Sequence, residues 1–204
     1  MDHQEFNPDW SAYYKAVAGR PPRNTLYAAL ERFETSTLAQ QPHFAVDLGC
    51  GEGRDTVELL RRGWHVLAID ANPEGIEYLL SRQDLPQSDH LKTCVSNFED
   101  ADWYEADLVN ASFSLPFCPP ESFPNLWSQI VRSLHPGGRF AGQLFGNRDD
   151  WATIPGRSHH TRPEVEALFQ SFEIEVFEEE EHDGQTALGQ PKHWHLFHIV
   201  ACKH

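Results

Sequence analysis

The sequence predicts a single wound α/β domain: a mostly parallel sheet of about seven strands, with an antiparallel strand at one edge and helices on both faces. Short apolar runs alternate along the chain with segments of helical periodicity, which is typical of wound sheets. Glycines follow the first apolar run, at the turn where such sheets bind ligands. The last two apolar runs have no helix between them, so we expect them to pair antiparallel.

Two helices are predicted ahead of the first strand. The stretch GRPPR, residues 19–23, interrupts an otherwise helical pattern over residues 10–33, because glycine and proline break helices. We therefore predict a short first helix, a turn and a second helix over residues 24–33.

The first of these helices carries side chains that suit a cover over a ligand. Trp10, Tyr13 and Tyr14 combine apolar surface with hydrogen-bonding groups. Residues 1–38 are predicted to form a helical lid segment on a core of residues 39–204. The alternative is a helix that packs permanently on the sheet and never opens.

The core elements follow in order, each bounded by a local signal. Apolar runs bounded by turn residues predict strands at 43–48, 65–69, 91–95, 107–111 and 139–145, and a closing pair at 172–177 and 193–201. Capping and stop signals predict helices at 54–62, ended by Gly63; at 73–81, capped by Asn72; at 123–134, ended by HPGG; and at 161–171, opened by a Thr161–Glu164 capping box.

Composition limits the classes of partner. Lys and Arg total 16 against 31 Asp and Glu, a formal net charge of −15, so we expect no nucleic acid as substrate. The N-terminus lacks a basic patch followed by an apolar run, and no later run is long enough for a bilayer, so we expect a cytoplasmic protein without membrane contact, a monomer or a homodimer. The four cysteines form no C-x-x-C pair, which favours reduced thiols over disulfides or zinc.

The stretch VDLGCGEGRDT, residues 46–56, is the strongest local signal for a ligand. Its spacing is G-x-G-x-G, and Arg54 stands where a dinucleotide fingerprint has its last glycine. We therefore do not expect a pyrophosphate as the ligand. Asp47 would repel a phosphate but favour an ammonium or sulfonium group. Asp70, at the end of the second strand, is placed to accept hydrogen bonds from ribose hydroxyls. Together these features predict a nucleoside with a cationic tail.

Four segments resemble the class I S-adenosylmethionine-dependent methyltransferases, which have a Rossmann-like fold. They are VDLGCGEGR at residues 46–54, IDANP at 69–73, ADLVNASFSLPF at 106–117 and LHPGG at 134–138. The resemblance covers roughly residues 40–150 in the expected order. More narrowly, GCGEGRDT and FHIVACK are similar to the small tellurite-resistance-type methyltransferases.

The resemblance implies S-adenosylmethionine as the cofactor and a set of residues around it. The cofactor-binding residues that it implies are Asp47, Gly49, Cys50, Gly51, Asp70, Ala71, Asn97, Phe98, Asn110, Tyr14 and Arg20. Asp70 would hold both ribose hydroxyls, and Asn97 would replace the acid that accepts the adenine amine in the family. A tyrosine and either Arg20 or Arg23 would serve the methionine carboxylate. The arginines could equally be solvated charges.

Catalytic residues stay open at this stage. A sulfonium methyl is already activated, so a base is needed only for a protonated amine or a weakly acidic hydroxyl; the candidates are His159, His160 and Tyr14. The two histidines, placed in a loop, could also be plain surface residues. No metal site is predicted, although His193 and His195 share one face of a strand.

Methyl transfer to a small-molecule acceptor is the function that we expect. The acceptor pocket should form from the N-terminal segment, residues 113–118 and the insert 147–160, which offers aromatic and cationic side chains. A non-catalytic protein that holds S-adenosylmethionine or S-adenosylhomocysteine is the main alternative. A nicotinamide-dependent oxidoreductase would need the missing glycine spacing.

Overall fold

The computed structural model describes residues 9–35, 43–87 and 89–204. The helices in these ranges are α1 Trp10–Val17, α2 Asn24–Glu34, α3 Arg54–Arg61, α4 Pro73–Ser81, α5 Phe123–Ser133 and α6 Arg162–Leu168. The strands are β1 Phe44–Leu48, β2 His65–Asp70, β3 Leu91–Val95, β4 Ala106–Ala111, β5 Leu134–Gly146, β6 His159–His160, β7 Phe172–Gln185 and β8 Pro191–Lys203. The predicted boundary between lid and core, at residues 38 and 39, lies outside the described residues.

One sheet joins the strands in the order β3-β2-β1-β4-β5-β8-β7, and β6 pairs with β5 beside that path. Strands β1 to β5 pair parallel, whereas β8 is antiparallel to both β5 and β7. The predicted fold class is therefore confirmed, including the antiparallel pairing of the last two strands. Because β2 lies on one side of β1 and β4 on the other, the loops after β1 and β4 diverge and leave a crevice at the carboxyl ends of the strands.

The helices around this crevice begin at the signals that the sequence contains. Gly53, at a φ of 80°, precedes α3. Asn72 caps α4, since its Oδ1 accepts a hydrogen bond from the Glu74 backbone N–H at 3.0 Å. The Thr161 N–H donates to the Glu164 carboxylate at 2.7 Å, the capping box predicted for α6. No helix within the described ranges has the length and apolar character needed to cross a membrane.

The core consists of two apolar layers, one on each face of the sheet. Successive strand residues point to opposite faces, so Ala45 packs with α2, α3 and α4, whereas Val46 packs with α5 and α6. Phe140 of β5 is fully buried, with its ring centroid 5.3 Å from that of Trp127 and 5.5 Å from that of Phe169. Burial of such a side chain contributes about 1.5–3 kcal/mol. These layers fix the strands whose ends form the crevice.

Three predicted elements differ in extent from those in the structure. β5 begins at Leu134, directly after α5, so the HPGG stretch lies in a strand rather than in a loop. α6 ends at Leu168 instead of residue 171. The His159–His160 pair, which we predicted in a loop, forms β6 because it pairs with the end of β5.

The closing hairpin is also longer than predicted, because the acidic run of residues 178–181 continues β7. Glu179 contacts Arg162 at 3.0 Å and His195 at 3.0 Å. Glu181 contacts Arg148 at 2.6 Å, and Glu180 contacts His198 at 2.7 Å. Cationic and histidine side chains from neighbouring elements therefore balance the negative charge of the run and let it form a strand.

Candidate functional site

A cavity of about 440 Å³ opens at the carboxyl ends of β1, β2 and β4, beneath α1. Its volume falls in the range of sites for small molecules and cofactors. The lining residues are Trp10, Tyr13, Tyr14, Gly49, Gly51, Ile69, Asp70, Ala71, Asn72, Pro73, Ser96, Phe98, Ser112, Phe113, Ser114 and Phe117. They come from the helical N-terminal region and from the ends and following loops of four neighbouring strands, β3, β2, β1 and β4.

The glycine turn after β1 forms one wall of the cavity. Gly49 has a φ of 74° and lies against Ser114, so a side chain at this position would overlap that serine. Gly51 has a φ of 53°, and a Cβ at this position would lie 3.3 Å from the Tyr14 ring. The Gly49 N–H donates to the carbonyl oxygen of Ile69 at 2.8 Å, which ties the turn to β2. Both glycines are needed because an L side chain rarely adopts these φ values.

Asp70 stands at the end of β2 with its carboxylate at the cavity wall. One oxygen accepts a hydrogen bond from the Gly51 N–H at 2.8 Å, and the other accepts from the Asn72 N–H at 2.8 Å. Burial raises the pKa of this carboxyl group above its usual range. An ionised carboxylate accepts about four hydrogen bonds, so Asp70 has capacity left for a ligand. It is not consumed as a helix cap, since Asn72 caps α4.

Asp47 and Asn110 lie beneath the glycine turn and do not line the cavity. The Asp47 carboxylate accepts hydrogen bonds from Thr56 Oγ1 at 2.5 Å and from Asn110 Nδ2 at 2.9 Å. Asn110 Nδ2 also donates to Asp55 Oδ2 at 3.1 Å. Burial, followed by the nearby Asp55 charge, raises the pKa of Asp47. Asp47 therefore ties β1 to α3 and β4, in contrast to the ligand contact that the resemblance implied.

α1 covers the cavity with aromatic side chains. The Tyr14 ring is 3% exposed and packs between Gly51 and Tyr78, whose ring centroid is 5.7 Å away. The Trp10 ring lies 4.9 Å from that of Phe117, in the loop after β4. Burial and then the nearby Asp70 raise the pKa of Tyr14, so its hydroxyl keeps its proton at neutral pH. α1 thus lies over the cavity.

Phe113 is held in an unusual backbone conformation on the opposite wall. Its φ is 57°, the left-handed region that a bulky residue seldom occupies. The Phe113 N–H donates to Gln143 Oε1 at 3.1 Å, and Gln143 Nε2 in turn donates to Thr25 Oγ1 at 2.9 Å. Gln143 is 1% exposed, so this network is buried. Strain of this kind is frequent at ligand sites, where the surroundings hold the residue in place.

The predicted site residues divide into two groups. Those that line the cavity are Tyr14, Gly49, Gly51, Asp70, Ala71 and Phe98. Those that do not are Asp47, Cys50, Asn97, Asn110, Arg20, His159 and His160. Arg20 and Asn97 are exposed to solvent, whereas Cys50 is buried in the apolar layer between the turn and the helices.

The two candidate histidines lie on β6, away from the cavity lining. The His160 ring packs 4.6 Å from that of Phe123, and burial lowers its pKa to about 4. His159 is exposed. Neither therefore stands where a base would meet a ligand in the cavity. Across the ranges that the structure describes, no three His, Cys, Asp or Glu side chains are arranged to hold a metal ion.

Sequence reasoning missed the supporting residues of the site. Ser114 Oγ donates to the carbonyl oxygen of Leu48 at 2.5 Å, which fixes the loop after β4 against the glycine turn. Gln143 holds Phe113 from β5. Gln143 lies outside the quoted motifs, and Ser114, although within residues 106–117, was given no supporting role; each acts through a partner at least thirty positions away in the sequence. Only the three-dimensional arrangement reveals them.

Comparison with known sequences identifies a relationship over the central part of the chain. Residues 45–138 match the family described as "Methyltransferase domain". An uncharacterized methyltransferase of Synechocystis is 31% identical over 110 residues, which are 54% of this chain and 50% of that protein. A carboxy-S-adenosyl-L-methionine synthase of Citrifermentans bemidjiense is 33% identical over 107 residues, 49% of this chain and 43% of that protein. The chain thus spans about half the length of these relatives.

Solved structures share most of this fold. TehB from Haemophilus influenzae matches with a TM-score of 0.71 at 16% identity, over 87% of this chain and 62% of that one. The 1,6-didemethyltoxoflavin-N1-methyltransferase of Burkholderia thailandensis, solved with bound 1,6-didemethyltoxoflavin and S-adenosylhomocysteine, matches with a TM-score of 0.63 at 20% identity, over 95% of this chain and 84% of that one. These likenesses show a common fold.

Proposed function

The chain has the class I methyltransferase fold, and from this premise we propose that it transfers a methyl group from S-adenosylmethionine to a small-molecule acceptor. The observation that carries the proposal is the pairing of the glycine turn with Asp70 at one cavity. The cavity beside the glycine turn and the spare acceptor capacity of Asp70 fit a nucleoside. When bound, S-adenosylmethionine supplies an activated methyl group on a sulfonium.

We infer that the residues lining the cavity each contact a different part of the cofactor. Asp70 accepts hydrogen bonds from the ribose hydroxyls while its bonds to Gly51 and Asn72 keep it in position. Ala71 and Phe98 provide apolar surface for the adenine ring. Gly49 and Gly51 let Ser114 and Tyr14 pack against the turn and also line the cavity, so we infer that the amino-acid end lies beside this turn.

The protein must also align the acceptor with the methyl group and exclude water from the cavity. α1 provides both through Trp10 and Tyr14, whose rings close the cavity toward Phe117 and Gly51. Asp47 and Asn110 act as positioning residues, because they hold the turn from beneath. Tyr14 is excluded as a base, since its hydroxyl keeps its proton at neutral pH.

A small-molecule acceptor is supported by charge and by size. A formal net charge of −15 opposes a polyanion, and the cavity volume of about 440 Å³ suits small ligands. The Burkholderia enzyme with a similar fold was solved with bound 1,6-didemethyltoxoflavin.

The proposal is tested by incubating the protein with methyl-labelled S-adenosylmethionine and either a small-metabolite extract or total RNA. We expect label to enter the metabolite fraction. Transfer mainly to RNA would contradict the small-molecule acceptor. Tight binding of S-adenosylhomocysteine with no transfer to either pool would favour a non-catalytic binding protein instead.

A further inference from the structure

Aromatic side chains from two elements form the cavity wall near the loop that follows β4. Trp10 of α1 and Phe117 meet edge to face, with 4.9 Å between ring centroids. Phe113 and Tyr13 also line the cavity. Wall residues of this kind favour a flat aromatic ligand, because rings pack in offset-stacked or edge-to-face contacts. The acceptor, rather than the nucleoside, is the ligand for this wall, since Ala71 and Phe98 are assigned to adenine.

Two arginines pack on the rings of this wall. The guanidinium carbon of Arg23 lies 4.1 Å from the ring centroid of Phe113, and that of Arg157 lies 4.4 Å from the ring centroid of Phe117. Burial lowers the pKa of both arginines, which nevertheless stay charged at neutral pH. In a chain with a net charge of −15, two guanidinium groups thus stand behind the aromatic wall, with the Asp55 carboxylate beside Arg23. These guanidinium groups would stabilise a negatively charged ligand in this part of the cavity.

The cavity supplies no base for the acceptor. Among its described lining residues, the titratable side chains are Asp70, Tyr13 and Tyr14. Asp70 is assigned to the ribose, the Tyr13 hydroxyl is hydrogen-bonded to the Arg23 guanidinium, and burial holds the proton on the Tyr14 hydroxyl. An acceptor that must lose a proton during the reaction would therefore find no partner among these groups.

Resting on the proposed methyl transfer, we propose that the acceptor is a planar aromatic anion whose nucleophilic atom already carries its negative charge when it binds. A lone pair on that atom forms the new bond to the methyl carbon. The bond between this carbon and sulfur breaks, and its electrons remain on sulfur. The negative acceptor and the positive sulfonium become two neutral products, so no proton is released and no base is required.

The test uses 4-nitrothiophenolate, an aromatic thiolate that is ionised at neutral pH, and its neutral S-methyl ether as a matched ligand. Protein saturated with S-adenosylhomocysteine is titrated with each compound by calorimetry. We expect the thiolate to bind at least tenfold more tightly than the ether. With labelled S-adenosylmethionine, the thiolate should also be methylated faster than phenol or benzylamine, after subtraction of the rate without protein.

Arg157→Gln removes one charge behind the wall, and Arg132→Gln, at an exposed position on α5, is the matched control. We expect Arg157→Gln to weaken thiolate binding about thirtyfold, the size expected for a unit charge roughly 8 Å away at an effective dielectric constant of about 20. Binding of the neutral ether and of S-adenosylhomocysteine should not change. Arg132→Gln should match the wild type in all three measurements.

The outcomes separate the two proposals. If S-adenosylhomocysteine binds but the neutral ether binds as tightly as the thiolate, or phenol and benzylamine are methylated faster, the anionic acceptor is overturned while the proposed function stands. If S-adenosylhomocysteine does not bind at all, the proposed function itself is contradicted. Equal thiolate affinity in Arg157→Gln and wild type would also overturn the assignment of positive charge to the acceptor site.

Discussion

At the scale of single residues, the site depends on one carboxylate that faces the cavity and another that lies beneath its wall. Asp70 and Asp47 both lie near the carboxyl end of a strand, in β2 and β1. Asp70 is half-buried and reaches the cavity, whereas Asp47 is 1% exposed and bonded to Thr56 and Asn110. The two acids therefore differ in place: one faces the cavity, where we propose that it binds the ribose, and the other holds the turn from beneath.

Asp70→Ala should weaken the binding of S-adenosylhomocysteine without unfolding the protein. Loss of hydrogen bonds to a charged acceptor costs about 1–3 kcal/mol, roughly a five- to hundredfold weaker affinity in calorimetry. Asp84→Ala removes an exposed carboxylate and serves as the control. Because Asp70 also holds the Gly51 and Asn72 N–H groups, Asp70→Asn is measured beside it. Wild-type affinity in both Asp70 variants would contradict a role in ribose binding.

The sequence identified Asp70 as a cavity residue but did not separate Asp47 from it. Both acids stand near glycines at strand ends, and the resemblance assigned both to the cofactor. Their difference depends on partners that are remote in sequence: Asn110 is 63 positions from Asp47. Phe113 was equally hidden, because nothing in its neighbourhood indicates a positive φ for a bulky side chain. Such features arise from tertiary packing rather than from local pattern.

At the scale of elements, α1 is the part of the site whose behaviour the closed structure leaves for experiment. Tyr14 and Val17 are 3% and 0% exposed, and the rest of α1 is half-buried or exposed. The helix ends before Gly19, at a φ of 76°, and the prolines that follow restrict the connection to α2. A helix of 8 residues anchored by few buried side chains can open at low cost.

Hydrogen exchange tests whether α1 moves as a lid. We expect the amides of Trp10–Val17 to exchange quickly in the free protein and to become protected when S-adenosylhomocysteine binds, because the ligand would add contacts to Tyr14. The amides of α5, buried against the sheet on the other face, provide the internal control and should not change. Equal protection of α1 in both states would mean that the helix is permanent structure.

The closing hairpin shows why some elements could be predicted only in part. The apolar centres of β7 and β8 were found from their pattern, and their antiparallel pairing was confirmed. The acidic extension of β7 was missed because like charges in a row oppose a strand when considered alone. It is stabilised by Arg148, Arg162 and histidines of β8, which only the fold brings alongside.

At the scale of the whole molecule, the order of strands and helices was predictable because each element buries one face and ends at a local signal. Alternation of apolar runs and helical segments is enough to predict a wound sheet, and the wound sheet is enough to predict where its ligand crevice lies. Element ends at Leu134 and Leu168 depended on pairing and packing, so they were displaced from the predicted positions.

The folding stability of the molecule depends on pH through buried groups that act in opposite directions. Asp47 has a raised pKa in the folded state, so its destabilising effect grows as pH rises from about 4 toward neutrality. His160 has a folded pKa of about 4, below the usual value of 6.5 in an unfolded chain. As pH falls through this interval the unfolded chain binds the proton first, so the folded state loses stability.

The His160→Gln variant should therefore lose less folding stability than the wild type as the pH is lowered. Because of the buried imidazole, the free energy of unfolding should decrease by on the order of 3 kcal/mol between about pH 6.5 and pH 4, at about 1.4 kcal/mol for each pKa unit. Urea unfolding of wild type and variant at several pH values measures the difference, with His135→Gln, partly exposed in β5, as the control. We expect the stability of His160→Gln relative to wild type to rise as the pH falls through that window and to level off below it. Parallel profiles for all three proteins would mean that the His160 imidazole is solvated and titrates normally in the folded state.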